Sequence, residues 1–455
     1  LEEAGEYFPP KSAESLMAAA RRPRLRNVAR NPMLLTIMAL VQTWYGTLPN
    51  ERAKLYQQCV ETLLLRWQRH KEENERDLPD MLAELGTDRQ RLERLLWEIA
   101  WQAHSQGFKQ EEDGAAEDEE AAADIPESEV MAIACRALGS WTRAETFVEY
   151  TERRAHLLLG RGGISGRLFT FPHRTFQEYL AACHLAADRR PGLRAAELAL
   201  QGDYWREVLN LAAGTLVFNQ NNWEKALDAI AQLLPANVPG EEDTAGWRRV
   251  WLAGEMADVV GREAAEKDEI GRVLLPRLRD QLAALVRTGR LNSVQRAAAG
   301  VALGRLGDPR QDVTCDVPVI VLIPRGEFIM GSERRKGQPG YDELSQWDDE
   351  STKAGAPFRL NLPAYRIGKY PVTVAQYRRF VEAGGYDPQE SAAFWPGDGL
   401  DWLRKSGQQA PYYWDDPTWN VDNHPVVGVT WYEAVAYCAW LSATTGRRFR
   451  LPDEA

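Results

Sequence analysis

Leu157-Leu158-Leu159-Gly160, Gly162-Gly163 and Leu168-Phe169-Thr170-Phe171-Pro172-His173-Arg174-Thr175-Phe176-Gln177-Glu178-Tyr179-Leu180-Ala181-Ala182 decide how the front of this chain folds. Two short apolar runs separated by glycines read as a hairpin with a tight turn. Pro172 stops the second strand and sits where a new helix can begin at no hydrogen-bonding cost. Upstream, residues 88 to 105 carry Leu92, Leu95, Leu96 and Ile99 at helical spacing. Pro126 opens another helix that Gly139 closes, and a further one runs to about His156. Helices, then a two-stranded wing, then a closing helix make a winged-helix arrangement over residues 88–186.

Working outward from that core, residues 1–87 read as helical. Asn31 can cap a helix and Pro32 can take its first position. Met33 to Leu40 is almost wholly apolar, which demands burial on all sides. After the Leu48-Pro49 break, Leu55, Cys59, Val60, Leu63, Leu64 and Trp67 share one helical face. The acidic, alanine-rich run from Glu111 to Asp124 reads as a solvated insert. Beyond the winged helix, residues 187–311 read as helix after helix, marked by Trp205 to Leu209, Trp223 to Leu227 and Trp247 to Val260. A stacked helical repeat fits best, although no strict period is visible.

Composition limits the functions available. At 455 residues, of which 44% are apolar and 27% charged, the chain is a multidomain globular protein. Its formal net charge of −11 disfavours a general nucleic-acid binder, whose affinity rests on Lys and Arg. Arg21-Arg22-Pro23-Arg24-Leu25-Arg26 is a local basic run and reads as a solvated helix face. The 5 cysteines, Cys59, Cys135, Cys183, Cys315 and Cys438, are scattered without CxxC spacing, so neither a disulfide framework nor a zinc site is expected. The longest strongly apolar run, Pro32 to Val41, is short of the ~20 residues that span a bilayer. A cytoplasmic location with no membrane partner is the expectation. The acidic opening Leu1-Glu2-Glu3 is no signal peptide, and the chain is expected to be incomplete at its start.

At about residue 312 the grammar changes. Val317 to Ile323, Gly326 to Met330, Phe358 to Leu362 and Tyr365 to Lys369 read as short strands. Thr373 with Gln376, and Thr430 with Glu433, are two capping boxes that each start a helix. Between them, residues 385–425 hold aromatics, Pro and Gly with little periodicity. An irregular stretch of that length in a compact domain suggests a functional surface. Its candidate ligand-binding side chains are Trp395, Trp402, Tyr412, Tyr413, Trp414 and Trp419, because rigid Trp and Tyr make effective anchors. The alternative for these rings is that they pack the loop's own core. The acidic clusters Asp348-Asp349-Glu350 and Asp415-Asp416 lack the spacing of a metal or acid–base site and read as solvated. Asp453 reads as the cap of a helix that the chain end removes.

Two family resemblances rest on these residues. The run Phe171 to Ala182, with its FxHxxFQE pattern, resembles the winged-helix signature of NACHT-type STAND NTPases, ATP-driven signalling switches. Asn31 to Leu35, with Leu48-Pro49 and Leu55-Tyr56, looks like the helical domain that precedes it. The resemblance implies that His173 reaches the β-phosphate of bound ADP and that Pro32 packs near adenine. It also implies ADP or ATP with Mg²⁺ in the complete protein, and self-oligomerisation on activation. Physically, an imidazole at the start of a helix sits where an anion is already favoured. No Gly-x-x-x-x-Gly-Lys-Ser/Thr loop occurs, and Gly160 to Gly166 lacks the lysine. Hydrolysis by these residues alone is therefore not expected, and the NTPase core is expected to precede Leu1. The Gly307-Asp308-Pro309-Arg310 ending resembles HEAT-type repeats.

Residues 312–455 resemble the sulfatase-modifying-factor family, which includes formylglycine-generating enzymes. The matching stretches are Ile323 to Ser332, Tyr370 to Thr373, His424 to Trp431, Ala434 to Leu441, Gly446 to Pro452, and Glu454-Ala455. The implied fold is an irregular α+β, C-type-lectin-like domain, cut short at Ala455. Enzymatic members use a copper-binding cysteine pair, and some bind calcium; those ligands are expected only beyond Ala455. Cys438 reads as a packed helix residue. The full expectation is a multidomain protein: a NACHT-associated helical domain (1–87), a winged helix (88–186), HEAT-like helices (187–311) and the formylglycine-generating-enzyme-like part (312–455). Two functions follow. One is a sensor in a signalling NTPase, binding an unidentified protein or small ligand through its last domain. The other is a sulfatase-modifying oxidoreductase whose catalytic half lies elsewhere. DNA binding through the winged helix is the third and weakest reading, given the acidic balance.

Overall fold

The computed structural model describes residues 10–26, 28–65, 78–112, 122–163, 166–331, 337 and 358–453. The opening residues, Trp67, most of the acidic alanine-rich run, the tip of the hairpin turn and the acidic cluster at 348–350 lie outside the described residues. The chain divides into two compact units, Leu1–Gly307 and Asp308–Ala455.

The first unit opens with α1 (Pro10–Ala20), α2 (Pro23–Arg26) and α3 (Pro32–Tyr45). Asn31 caps α3 by accepting from the amides of Met33 and Leu34, and Pro32 occupies the first turn. Gly46, at φ 76°, ends the helix in the left-handed region that a glycine enters without strain. In α4 (Arg52–Leu65), the face of Leu55, Cys59, Val60, Leu63 and Leu64 is buried. After α5 (Leu78–Leu85) comes the long α6 (Arg89–Glu112), which turns Leu92, Leu95, Leu96 and Ile99 into the core.

The winged helix follows. β1 (Ile125–Pro126) leads into α7 (Glu127–Leu138) and α8 (Trp141–Arg153), and then into the hairpin β2 (Leu159–Gly163) and β3 (Gly166–Thr170). β2 and β3 pair antiparallel with Gly160 opposite Phe169, and β1 adds itself to the far edge of β3 to give the order β1-β3-β2. The short β1 has no periodic signal of its own; Ala123, two residues before it, is held through its amide and carbonyl by Gln177. The closing helix α9 (Arg174–Ala187) is capped by His173, one residue after Pro172.

Helices α10 (Pro191–Ala199), α11 (Arg206–Gly214), α12 (Trp223–Leu233), α13 (Thr244–Val260), α14 (Arg262–Lys267), α15 (Glu269–Thr288) and α16 (Ser293–Leu306) complete the unit. α10 packs on α12, α11 on α13, and α13 on α15 and α16, so successive helices share one continuous core. Trp205, Trp247 and Trp251 are among its largest fully buried side chains. α11 runs on into a π-helical turn, Thr215–Asn219, in which the amide of Gln220 donates to the carbonyl of Thr215. The extra residue per turn lets Asn219 reach back, donating to the Ala53 carbonyl and the Tyr179 hydroxyl at 3.3 Å each.

The second unit begins with α17 (Gln311–Thr314) and two antiparallel ribbons. β4 (Ile320–Ile323) pairs with β7 (Tyr365–Gly368), and β5 (Gly326–Met330) pairs with β6 (Phe358–Leu362). α18 (Val374–Glu382) and α20 (Trp431–Thr445) then pack on each other. Both start with reciprocal capping boxes, Thr373 with Gln376 and Thr430 with Glu433. One element departs from the sequence expectation: α19 (Gly397–Ser406) lies inside the stretch read as irregular. Its glycines hid it. Gly399 is required because a Cβ there would come within 2.9 Å of the Pro396 ring and 3.1 Å of Tyr432.

Candidate functional site

The signature after the wing is mostly a structural clasp. Phe171 and Phe176 are buried. Gln177, completely buried, accepts from the Ala123 amide and donates to the Ala123 carbonyl, both at 3.0 Å, tying the chain that enters β1 to α9. Such a two-way bond satisfies both backbone polar groups of one residue, which would cost free energy if left unpaired in the interior. Tyr179 stacks on Tyr56 of α4 at 5.7 Å between ring centres. His173 differs: it is half-buried, and its ring Nδ1 accepts from the Thr175 amide at 3.1 Å. That bond places the proton of the neutral ring on Nε2, making it a donor held in one orientation. Pro32 is exposed at the start of α3. α4 packs against both α3 and α9, the helices that carry these two residues.

Beside the clasp lies a partly buried polar cluster that no sequence spacing announces. Arg52 of α4 pairs with Glu207 of α11 at 2.6 Å, and Arg174 pairs with Glu178 within α9 at 3.1 Å. Burial, then the charge of Glu207, pushes the Glu178 carboxyl up to about 7, and the opposing pull of Arg174 does not cancel them. Because this pKa is raised on folding, Glu178's contribution to stability is present at low pH and is lost as pH rises through about 7. His104 of α6, wholly buried against Tyr204 at 4.3 Å and Trp205 at 4.7 Å, shows the reverse. Burial, then the charge of Arg174, lowers its pKa to about 3.

A neutral His104 in the fold that must take a proton on unfolding makes stability fall as pH drops below 6.5, down to about 3. Replacing it with Phe removes this term. We expect the pH-stability curves of His104→Phe and the unsubstituted chain to diverge below about pH 6.5, in favour of the Phe variant by roughly 3 kcal/mol near pH 4. Urea unfolding at several pH values measures it, and curves that stay parallel would contradict the buried neutral imidazole.

Several arginines of the winged helix pair with nearby carboxylates. Wing residue Arg161 pairs with Asp124, and Arg167 pairs with both Glu127 and Glu152. On α8, Trp141 bonds Glu145 and Arg153 pairs with Glu149.

In the second unit, a chain of buried hydroxyls ends on a carboxylate. Tyr377 and Tyr386 share a bond of 3.1 Å, and Tyr386 donates to the fully buried Glu433 at 2.6 Å. The other Glu433 oxygen takes the Thr430 amide at 2.6 Å. Around this network the six aromatic candidates separate. Trp395 is buried, with its indole N–H donating to the Gly385 carbonyl at 2.9 Å, and Trp402 stacks on it. Trp414 is half-buried and covered by Arg378, whose guanidinium lies 5.8 Å from its centre. These three pack the domain. Tyr412, Tyr413 and Trp419 are exposed, and Tyr413 touches each of the other two. Cys438 lies half-buried in mid-helix, its thiol pushed up by burial away from the reactive thiolate. Among the described residues, no group of three or more His, Cys, Asp or Glu is placed to hold a metal ion. Nor is any helix among them long and apolar enough to cross a membrane.

Residues 52–185 match the family model of the winged helix-turn-helix domain C-terminal to NACHT. Residues 306–455 match the sulfatase-modifying factor enzyme 1-like domain. The chain is similar to a hercynine oxygenase from Mycolicibacterium smegmatis, 33% identical over 143 residues, covering 30% of this chain and 29% of that one. A formylglycine-generating enzyme from Bos taurus is 27% identical over 163 residues, covering 30% and 37%. An inactive Cα-formylglycine-generating enzyme 2 from Mus musculus is 28% identical over 157 residues, covering 30% and 45%. The chain thus spans less than half the length of these relatives. Their names include oxygenases, formylglycine formation and an inactive form, so the likeness alone carries no activity.

Proposed function

We propose that this chain, which joins a winged helix of the kind found after NACHT domains to a sulfatase-modifying-factor-like domain, is the sensing and relaying portion of a STAND-type signalling NTPase. The observation that carries the reading is the union of those two domains in one polypeptide. A nucleotide-state reporter and a ligand-binding scaffold are what such a switch has to connect. In this account His173 offers its fixed Nε2 donor to the β-phosphate of ADP, aided by the positive N-terminal end of α9. Pro32 borders the adenine. Arg52 and Arg174 are committed to Glu207 and Glu178, so these residues fit a sensing contact and not a phosphate cradle. The cradle and Mg²⁺ ligands belong to an NTPase core whose glycine-lysine loop is not among these 455 residues.

Helices α10 to α16, read as HEAT-like, form the relay. The second unit, read as a C-type-lectin-like scaffold, binds the ligand, and activation ends in self-oligomerisation. The protein works in the cytoplasm. Retention of ADP by the full-length NTPase, with and without residues 308–455, tests the reading. The names of the relatives favour one alternative, an oxidoreductase of formylglycine-generating type. That chemistry needs a thiolate pair for copper; Cys438, its thiol pushed up by burial, does not fit as half of one, so on that alternative the pair lies in a part of the domain outside these residues.

A further inference from the structure

The exposed rings of the second unit are held in place. Tyr412, Tyr413 and Trp419 are 73%, 43% and 45% exposed. Tyr412 meets Tyr413 edge-on at 4.9 Å, and Tyr413 meets Trp419 at 6.1 Å. Beneath them is Gly428, at φ 72°, where an added Cβ would come within 2.8 Å of the Tyr413 ring and 3.2 Å of the Tyr412 Cβ. The Tyr412 amide donates to the Gly428 carbonyl at 3.1 Å. On the other side, the Asp416 amide donates to the Tyr413 carbonyl at 3.1 Å and the Trp419 amide to the Asp416 carbonyl at 3.0 Å. A turn and a close backbone approach thus fix three large apolar rings that burial alone would draw inward.

Charge narrows what they meet. From Ser406 to Gly446 the sequence has no Lys or Arg, yet Asp415 and Asp416 follow the tyrosines in sequence and precede Trp419, Asp416 taking the Thr418 amide on one carboxylate oxygen at 2.8 Å. The same loop already shows how this combination works. Arg378 lies over Trp414 at 5.8 Å, pairs with Asp422 and donates to Asn420 at 2.8 Å. A guanidinium held by an aromatic face and a carboxylate is thereby satisfied in both its π-attraction and its charge.

We propose that Tyr412, Tyr413 and Trp419, with Asp415 and Asp416, form a second such seat, open to solvent, that takes an arginine or lysine side chain from a polypeptide partner. The inference rests on the reading of the second unit as ligand-binding and names the chemistry of the ligand. It is tested by fluorescence-anisotropy titration of the 455-residue chain with a labelled glycine-spaced peptide carrying two arginines, and with the same peptide carrying citrulline. The arginine peptide is expected to bind more tightly, and Tyr413→Ala or Trp419→Ala to weaken it by about 3- to 30-fold each. Asp415→Asn with Asp416→Asn is expected to remove most of the preference over citrulline.

These rings are exposed, so the variants should keep the fold, which an unchanged melting curve checks. Equal binding of the two peptides overturns the cation seat. So does an arginine preference that survives replacement of all three rings, or no binding of either peptide at millimolar concentration. In each of those cases the sensor reading stands if removal of the second unit still alters ADP retention; if retention is also unchanged, both fall.

Discussion

On the proposed reading, His173→Ala in the full-length protein is expected to speed ADP dissociation by roughly 10- to 100-fold, the range for a lost hydrogen bond to a charged group. The Thr175 amide fixes the ring through Nδ1 at 3.1 Å, which puts the neutral ring's proton on Nε2, the donor this account turns to a phosphate. Truncation also removes the N-cap of α9, at a cost of about 1 kcal/mol in stability. His173→Asn separates the two effects, since it restores a capping side chain without the reach of an imidazole. Both variants should release a fluorescent ADP analogue quickly in a chase experiment, while only the Ala variant melts early. Unchanged release from both would place His173 outside the nucleotide contact.

Glu433→Ala is expected to be the most damaging single change in the second unit. The carboxylate is completely buried and bonds the Tyr386 hydroxyl and the Thr430 amide, each at 2.6 Å. Its loss leaves both donors unpaired in the interior and opens the capping box of α20, together about 2–4 kcal/mol. For a unit of this size that lowers the melting midpoint by roughly 5–12 °C. Glu433→Gln keeps an acceptor for Tyr386 and is expected to cost less than half as much. Differential scanning calorimetry of the chain measures both, and an Ala variant within about 1 °C of the parent would contradict the network.

What was legible in the sequence was local. The capping boxes at Thr373 and Thr430, the Asn31-Pro32 start and the glycine-turned wing each depend on residues a few positions apart, and each forms. Long-range chemistry was not legible. Arg52, Glu178 and Glu207 come from three helices far apart in sequence, and His104 sits in α6 among ordinary core positions. Only the fold brings these charges together. The aromatic loop was half legible: its rings pointed to a built surface, but without periodicity nothing distinguished Trp395, which packs, from Tyr412, which does not. α19 was missed because two glycines in its first turn imitate a loop.

The central claim is that the second unit speaks to a nucleotide switch. Its most direct test is the ADP dissociation rate of the full-length protein, compared with a version lacking residues 308–455, cut at the boundary between the two compact units. If the unit restrains or triggers the switch, the two rates differ by about fivefold or more, the lower end of ordinary coupling between sites. Identical rates, with both proteins folded and loaded with ADP, would contradict the sensor account and leave the sulfatase-modifying-factor-like domain as a separate passenger.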